Sequence, residues 1–192
     1  MNNFGSYNHY GEALEKYTHL LLRWNSKIQM TATRNESEFV ERHVLDSLEL
    51  ADELGEKTGT MIDVGSGGGL PGIVLAIVCP NIHFTLIEPT KKKHAFLSTA
   101  RRELKLSNVR TLAVRDTELI QRDDFERFDF AIARAVWSMD IWFERAKELI
   151  VPGGTIFSLE ATNELAMPEG STRRRYRLQD RERSIVSWTA PV

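Results

Sequence analysis

The stretch Met61-Ile62-Asp63-Val64-Gly65-Ser66-Gly67-Gly68-Gly69-Leu70-Pro71-Gly72 constrains this chain more than any other. Met61, Ile62 and Val64 read as a short buried strand. Four glycines within residues 65–69 follow. Glycine lets backbone approach a ligand closely, because no Cβ intervenes, and it tolerates positive φ. Pro71 suits the first position of a helix, where its missing N–H costs nothing. Residues 73–78 then form an apolar run that Pro80 closes. Strand, glycine turn and helix start together make a nucleotide-type site at the carboxyl end of a parallel sheet.

The ligand class is narrower than that. Gly67-x-Gly69-x-x-Gly72 matches the dinucleotide fingerprint literally, but it begins late, because Asp63-Val64-Gly65-Ser66-Gly67 already occupies the turn. A phosphate-binding P-loop is excluded, since no Lys-Ser/Thr follows Gly72. An acid at the strand end followed by Gly65-x-Gly67-x-Gly69 resembles the first motif of S-adenosylmethionine-dependent methyltransferases. Ser66, Gly67 and Gly69 are then candidate cofactor contacts. The plain alternative is a tight turn whose glycines serve packing.

From residue 61 onward strands and helices alternate. Strands are expected at 61–64, 83–88, 109–114, 128–133 and 155–159, with helices at 73–78, 91–106 and 139–149. Residues 118–125 read as a poor helix or loop, and 152–154 as a turn. Repeated βαβ units imply an α/β fold with a doubly wound, mostly parallel sheet. Residues 175–178 and 184–189 read as a closing antiparallel hairpin, the ending of a seven-stranded methyltransferase sheet. Ahead of the sheet, residues 8–27 carry Leu14, Tyr17, Leu20, Leu21 and Trp24 at helical spacing. Asn35 with Glu38 resembles a capped start to a second helix, which Asp46 and Glu49 restart or simply continue. We therefore expect a helical extension over 1–59 packed on a core over 60–192.

Composition narrows the rest. The chain has 192 residues and a formal net charge of −2, so it is no general polyanion binder. Its single cysteine, Cys79, cannot form an internal disulfide, which fits a reducing compartment. No Cys/His grouping has metal-ligand spacing, so no metal is expected. The first residues lack a signal-peptide core, and no apolar run reaches the ~20 residues of a membrane helix. A cytoplasmic monomer is expected.

Several residues outside the glycine loop carry chemistry. Glu88 ends the second strand, where an acid accepts both ribose hydroxyls; a solvated strand-end glutamate is the alternative. Thr117 and Glu118 follow the third strand, where the loop covers an adenine. They serve equally as a helix start, with Thr117 capping and Glu118 favoured by the helix dipole. Arg134 follows the fourth strand, where a planar guanidinium can hold a carboxylate or a substrate oxygen. Basic residues gather at Lys91, Lys92, Lys93, Arg101 and Arg102, and again at Arg173, Arg174, Arg175, Arg177, Arg181 and Arg183. A basic face on an acidic chain suggests phosphate-backbone contact, against a merely solvated face. His43 and Asp46 lie within one helical turn and can share a face, as an acid–base pair or as a local hydrogen bond.

Taken in order, Leu22-Arg23-Trp24-Asn25, Met30-Thr31-Ala32, Arg42-His43-Val44-Leu45-Asp46-Ser47-Leu48, residues 63–77, Lys92-Lys93, Glu103 to Leu106, Phe128-Asp129 to Arg134-Ala135 and Pro152-Gly153-Gly154 resemble the RsmG (GidB) family. These are bacterial methyltransferases acting on guanine N7 of 16S, small-subunit ribosomal RNA. The resemblance spans nearly the whole chain. It implies a Rossmann-like class I methyltransferase fold, S-adenosylmethionine as cofactor, and cofactor contacts at Gly65, Leu70, Thr117, Glu118 and Arg134. It also implies 16S RNA or the small-subunit particle as partner. Candidate RNA contacts are His43, Lys92, Lys93, Arg101, Arg102, Arg173, Arg174 and Arg175. The chain departs from the family in four places: Glu88 replaces Asp, Gln29 replaces Asn, Asp116 replaces Arg, and Glu160-Ala161 replaces Lys-Gly. The last two exchange positive for negative near the expected site. N7 carries no proton, so no general base is assigned and Arg134 is the one residue given a catalytic, orienting role. The competing readings are a small-molecule methyltransferase, a non-catalytic RNA-binding module on the same fold, and a nicotinamide enzyme.

Overall fold

Strand β1 (Gly59–Val64) lies at the centre of the sheet, between β2 (Ile82–Ile87) and β4 (Phe128–Ala133), and is parallel to both. The chain is described here by a computed structural model covering residues 2–33, 35–160 and 167–192. β3 (Val109–Leu112) flanks β2, and β5 (Ile150–Glu160) flanks β4, both parallel. β6 (Thr172–Leu178) and β7 (Arg181–Thr189) form an antiparallel hairpin whose β7 pairs with β5. The order is β3-β2-β1-β4-β5-β7-β6, seven strands with a parallel body and an antiparallel end.

Both faces of the parallel body are covered, which is why its strands read as unbroken apolar runs. Successive side chains alternate between two cores. Met61 faces one core, while Ile62 and Val64 face the other; Phe130 and Ile132 oppose Ala131 and Ala133. Helices α4 (Gly72–Val78) and α5 (Lys91–Glu103) cover the first core. α6 (Asp116–Ile120) and α7 (Met139–Ala146) cover the second.

The N-terminal helices share the first core. A 3₁₀ turn (Gly5–Tyr10) leads into α1 (Gly11–Asn25), so the regular helix starts later than residue 8. Leu14, Tyr17, Leu20 and Leu21 are buried beside α4 and α5. Asn35 caps α2 (Glu36–Phe39), its side-chain oxygen accepting from the Glu38 N–H at 3.2 Å. The helix does not restart at Asp46. It runs through one π turn (Val40–Val44) into α3 (Leu45–Leu54). Such π turns insert an extra residue and re-aim the side chains around them; this one carries Arg42 and His43.

Residues 118–125, expected as a poor helix or loop, begin in the short α6 (Asp116–Ile120) and continue as turns, while two elements differ from expectation. The turn at 152–154 lies inside β5, as an irregularity between its pairings at Ile150 and Thr155. The terminal hairpin is longer at both strands, since cross-strand pairing runs from Thr172 with Ser187 to Leu178 with Arg181. No helix among the described residues is long and apolar enough to cross a membrane.

Candidate active site

The carboxyl ends of β1, β2, β3 and β4 open into one cavity of about 1200 Å³. Its floor is the glycine loop. Gly65, Ser66, Gly67, Gly68 and Leu70 line it, but Gly69 does not. A Cβ on Gly69 would run into Ile73 and contact Leu97 at 3.2 Å, so this glycine serves helix packing. A Cβ on Gly72 would overlap Leu86 and lie 2.5 Å from Asp63 Oδ2. The loop thus divides its glycines between ligand approach and packing.

Two buried side chains fix the loop. Tyr17 of α1 donates its hydroxyl to the Gly68 carbonyl at 2.7 Å, which ties the N-terminal helix to the cavity floor. Asp63 Oδ2 accepts the Gly72 N–H at 3.1 Å, joining strand end to helix start. Its Oδ1 is buried without a hydrogen-bond partner. Burial raises the Asp63 pKa to about 7, against the hydrogen bond from the Gly72 N–H and the charge of Arg134. The folded state therefore holds a proton that the unfolded state releases between an ordinary 3.8 and about 7. Stability from this group is full below the lower value and is lost as pH rises through the upper one. His43 titrates in part of the same window with opposite sign, so the variant isolates the effect. Wild type measured against Asp63→Asn in chemical denaturation should lose relative stability from pH 4 to 7 and hold it constant above. A difference independent of pH would refute the assignment.

Glu88 lies just past the end of β2, buried, with Oε2 accepting the Gly67 N–H at 3.1 Å and Oε1 the Thr90 N–H at 2.8 Å. A carboxylate has about four lone-pair positions, so each oxygen keeps capacity for one ribose hydroxyl. Glu88 in place of Asp preserves the acceptor that the expectation needed.

Beyond β3 the expectation is corrected in part. Thr117 lines the cavity, but Glu118 does not. Its carboxylate turns back to accept the Arg115 N–H at 3.0 Å, the helix-start role. The acid that lines the cavity is Asp116, 5 % exposed. It is paired: Arg145 of α7 donates to Asp116 Oδ2 from Nε at 2.8 Å and from Nη2 at 2.5 Å. The Arg145 guanidinium lies 4.8 Å from the centre of the Trp137 ring, which stacks on Trp142 at 6.0 Å with planes 2° apart. The negative charge introduced by Asp116 is thus neutralised within the wall of the cavity. Glu160 also lines the cavity and accepts from the Ser158 hydroxyl; Ala161 lies outside the described residues.

Arg134 extends from the end of β4 and is held by residues far away in sequence. Its Nη1 faces His43 Nδ1 at 3.3 Å and Asp46 Oδ2 at 3.5 Å. Arginine only donates, so His43 Nδ1 must accept and the ring carries its proton on Nε2. That proton faces the hydroxyls of Thr31 and Thr33, both 3.2 Å away. Burial, with Arg134, Arg183 and Arg42 nearby, lowers the His43 pKa to about 4, which keeps the ring neutral. Asp46 is completely buried and also accepts from Tyr176 of β6 at 2.6 Å and from Arg183 Nη2 of β7 at 2.8 Å. His43 and Asp46 do share a face, but as joint acceptors for Arg134. They do not form an acid–base pair with each other. Arg134 Nε and Nη2 have no partner among the described residues.

The basic clusters separate by position. Lys93 lines the cavity, whereas Lys92, Arg101 and Arg102 stand exposed on α5 away from its lining. Arg174 is not available to a partner: it binds Glu49 Oε2 at 3.0 Å, Glu53 Oε2 at 2.9 Å and the Glu49 carbonyl at 2.6 Å, docking the hairpin on α3. Arg173 is half-buried and Arg175 exposed, both on β6 and outside the lining. The cations that do line the cavity are Arg42, Lys93, Arg115, Arg134, Arg145, Arg181 and Arg183, against the acids Glu88, Asp116 and Glu160. Arg181 and Arg183 belong to the arginine cluster singled out in the sequence, whereas Arg42, Arg115 and Arg145 were not singled out as site cations; the pairing of Arg145 with Asp116, 29 residues away, carries no local pattern.

A seven-stranded sheet of this order, a glycine loop after its central strand and an acid ending the next one define a class I methyltransferase fold. The O-methyltransferase TomG from Streptomyces achromogenes, solved with S-adenosylmethionine, superposes with a TM-score of 0.61 over 91 % of this chain and 90 % of its own, at 12 % identity. A precorrin-6y C5,15-methyltransferase from Geobacter metallireducens gives 0.58 over 86 % and 92 %, at 11 % identity. Sequence is more specific. The chain belongs to the GidB family, rRNA small subunit methyltransferase G, whose pattern matches residues 11–189. The ribosomal RNA small subunit methyltransferase G of Burkholderia ambifaria is 40 % identical over 162 residues, covering 81 % of this chain and 71 % of that protein.

Proposed function

We propose that this protein transfers a methyl group from S-adenosylmethionine to N7 of a guanine in 16S ribosomal RNA, with Arg134 orienting the base. The observation that carries the reading is a single cavity lined by the glycine loop, by Glu88 and by Arg134, the last backed by His43 and Asp46. Its volume of about 1200 Å³ leaves room for a nucleoside cofactor and a base together.

The residues present fit the cofactor. Glu88 offers unfilled carboxylate lone pairs for the ribose, and Gly65 and Gly67 hold positive φ, with the Val136 side chain lying against Gly65 where a Cβ would come within 2.7 Å of it. The cofactor supplies a methyl carbon bonded to cationic sulfur, which departs as a neutral thioether when N7 takes the methyl. Guanine N7 presents a lone pair and no proton. The protein therefore need not remove a proton; it must hold the base in line. Arg134, fixed through Nη1, retains Nη2 and Nε to donate to guanine O6, which leaves N7 free. Positioning of this kind supplies roughly 7–11 kcal/mol of barrier lowering. Lys93, Arg115 and Arg181 line the cavity of a chain of net charge −2, which supports contact with phosphates of the flanking strand; Arg42 lines it too but is paired with Glu38 at 2.7 Å.

The decisive experiment is incubation with labelled S-adenosylmethionine and small-subunit RNA from a strain lacking this gene, followed by nucleoside mass spectrometry. Label in 7-methylguanosine is expected; label in another nucleoside, or none in RNA, would reject the reading. Glu88→Ala should weaken binding of S-adenosylhomocysteine roughly 10- to 100-fold in calorimetry, the loss of charge-assisted hydrogen bonds. An unchanged affinity would remove Glu88 from the ribose site.

A further inference from the structure

Resting on the orienting role proposed for Arg134, we infer that Asn25, at the end of α1, is a positioning residue for that guanidinium, acting through Thr31, Thr33 and His43. Asn25 is half-buried, and its side chain makes four hydrogen bonds to one short loop. Oδ1 accepts the N–H groups of Met30 at 2.8 Å and of Thr31 at 3.0 Å. Nδ2 donates to the carbonyls of Thr31 at 3.0 Å and of Thr33 at 3.1 Å. A primary amide offers two lone pairs and two N–H donors. All four serve residues 30–33, a set that neither aspartate nor alanine reproduces.

The loop so fixed faces the cavity. Met30, Thr31, Ala32 and Thr33 line it together with His43 and Arg134. Thr31 Oγ1 accepts the Thr33 N–H at 3.2 Å, and both threonine hydroxyls converge on His43 Nε2, each at 3.2 Å. With its proton directed to those oxygens, the imidazole keeps the Nδ1 lone pair for Arg134 Nη1 at 3.3 Å. The other tautomer would set one N–H against another. The Phe39 ring packs beside the imidazole, with ring centres 5.2 Å apart. Asp46 supplies counter-charge to Arg134 but a looser contact: its Oδ2 lies 3.5 Å from Nη1 and also accepts from Arg183 at 2.8 Å. The placement of the guanidinium therefore runs back through one imidazole to the loop that Asn25 clamps.

The test is a mutant cycle of Asn25→Ala, Arg134→Ala and the double variant, read as single-turnover methylation of small-subunit RNA at saturating cofactor. Asn25→Ala should lower the rate roughly 10- to 100-fold, the scale of a misplaced orienting group. Its affinity for S-adenosylhomocysteine should stay within about threefold of wild type, since Tyr17, Asp63 and Glu88 fix the cofactor loop without it. In the Arg134→Ala background the same change should cost less than about threefold, because a residue acting through Arg134 then has nothing to position. Thr31→Val with Thr33→Val spares the amide clamp and should show the same loss. An equal cost of Asn25→Ala in both backgrounds would overturn the inference, as would an unchanged rate in either variant. The His43 ring gives a readout independent of turnover. In proton–nitrogen correlation spectra of wild type its proton should lie on Nε2, protected from exchange with water, and a folded Asn25→Ala should lose that protection. A proton on Nδ1 in wild type, or equal protection in both proteins, would also overturn it. If wild type methylates no RNA, the proposed function falls first and takes this inference with it; if Arg134→Ala is slow and Asn25→Ala is not, only the role of Asn25 falls.

Discussion

Replacing Arg134 by alanine is expected to cut turnover on RNA by two to three orders of magnitude, roughly the effect of deleting one preorganised hydrogen-bond donor. The side chain is 16 % exposed, its Nη1 is committed to His43 and Asp46, and the residue lines the cavity. Affinity for S-adenosylhomocysteine should change less than the rate, because ribose and base are held elsewhere. The fold should survive, since Asp46 keeps Tyr176 and Arg183 as partners. Lysine should rescue poorly: one ammonium cannot serve His43, Asp46 and a base oxygen with the geometry of a guanidinium. Single-turnover rates with saturating cofactor separate these outcomes. A rate within threefold of wild type would remove Arg134 from the chemistry.

Asp46→Ala should be the most destabilising substitution at the site. The carboxylate is fully buried and joins three separate parts of the chain: Arg134 after β4, Tyr176 on β6 and Arg183 on β7. Removing it leaves two guanidiniums, 16 % and 19 % exposed, without their counter-charge. Breaking a buried pair from one side costs about 3–5 kcal/mol. For a chain of this size that corresponds to a fall in melting temperature of roughly 6–20 °C. Asp46→Asn should fall between, because its amide oxygen still accepts from Tyr176. A thermal scan of the three proteins measures this directly, and a shift below 2 °C in Asp46→Ala would show that the hairpin is held by other contacts.

The legibility of this protein varied with how local each signal was. The strand, the glycine loop and the acid ending β2 were all readable, because a tight turn and a short continuous apolar run are written in adjacent residues. Glu118 shows the limit of position alone. Two acids open α6: Glu118 turns back to the helix start, while Asp116 lines the cavity paired with Arg145, 29 residues later in the chain. The arginine-rich tail misled for a related reason. Arg174 counts as a free cation in the sequence, yet it is spent on Glu49 and Glu53 of a helix more than a hundred residues away.

Sequence by itself determined the sheet, the crossover helices and the loop that cradles a nucleoside, since each follows from periodicity and from the steric freedom of glycine. It also determined the family, through motifs spread along nearly the whole chain. Only the tertiary structure decided which charges act and which are cancelled. His43 becomes a neutral acceptor, Asp46 a buried anchor, and Asp116 one half of an ion pair. Burial and partner distance set each of these states, and both arise only when segments distant in the chain are packed side by side.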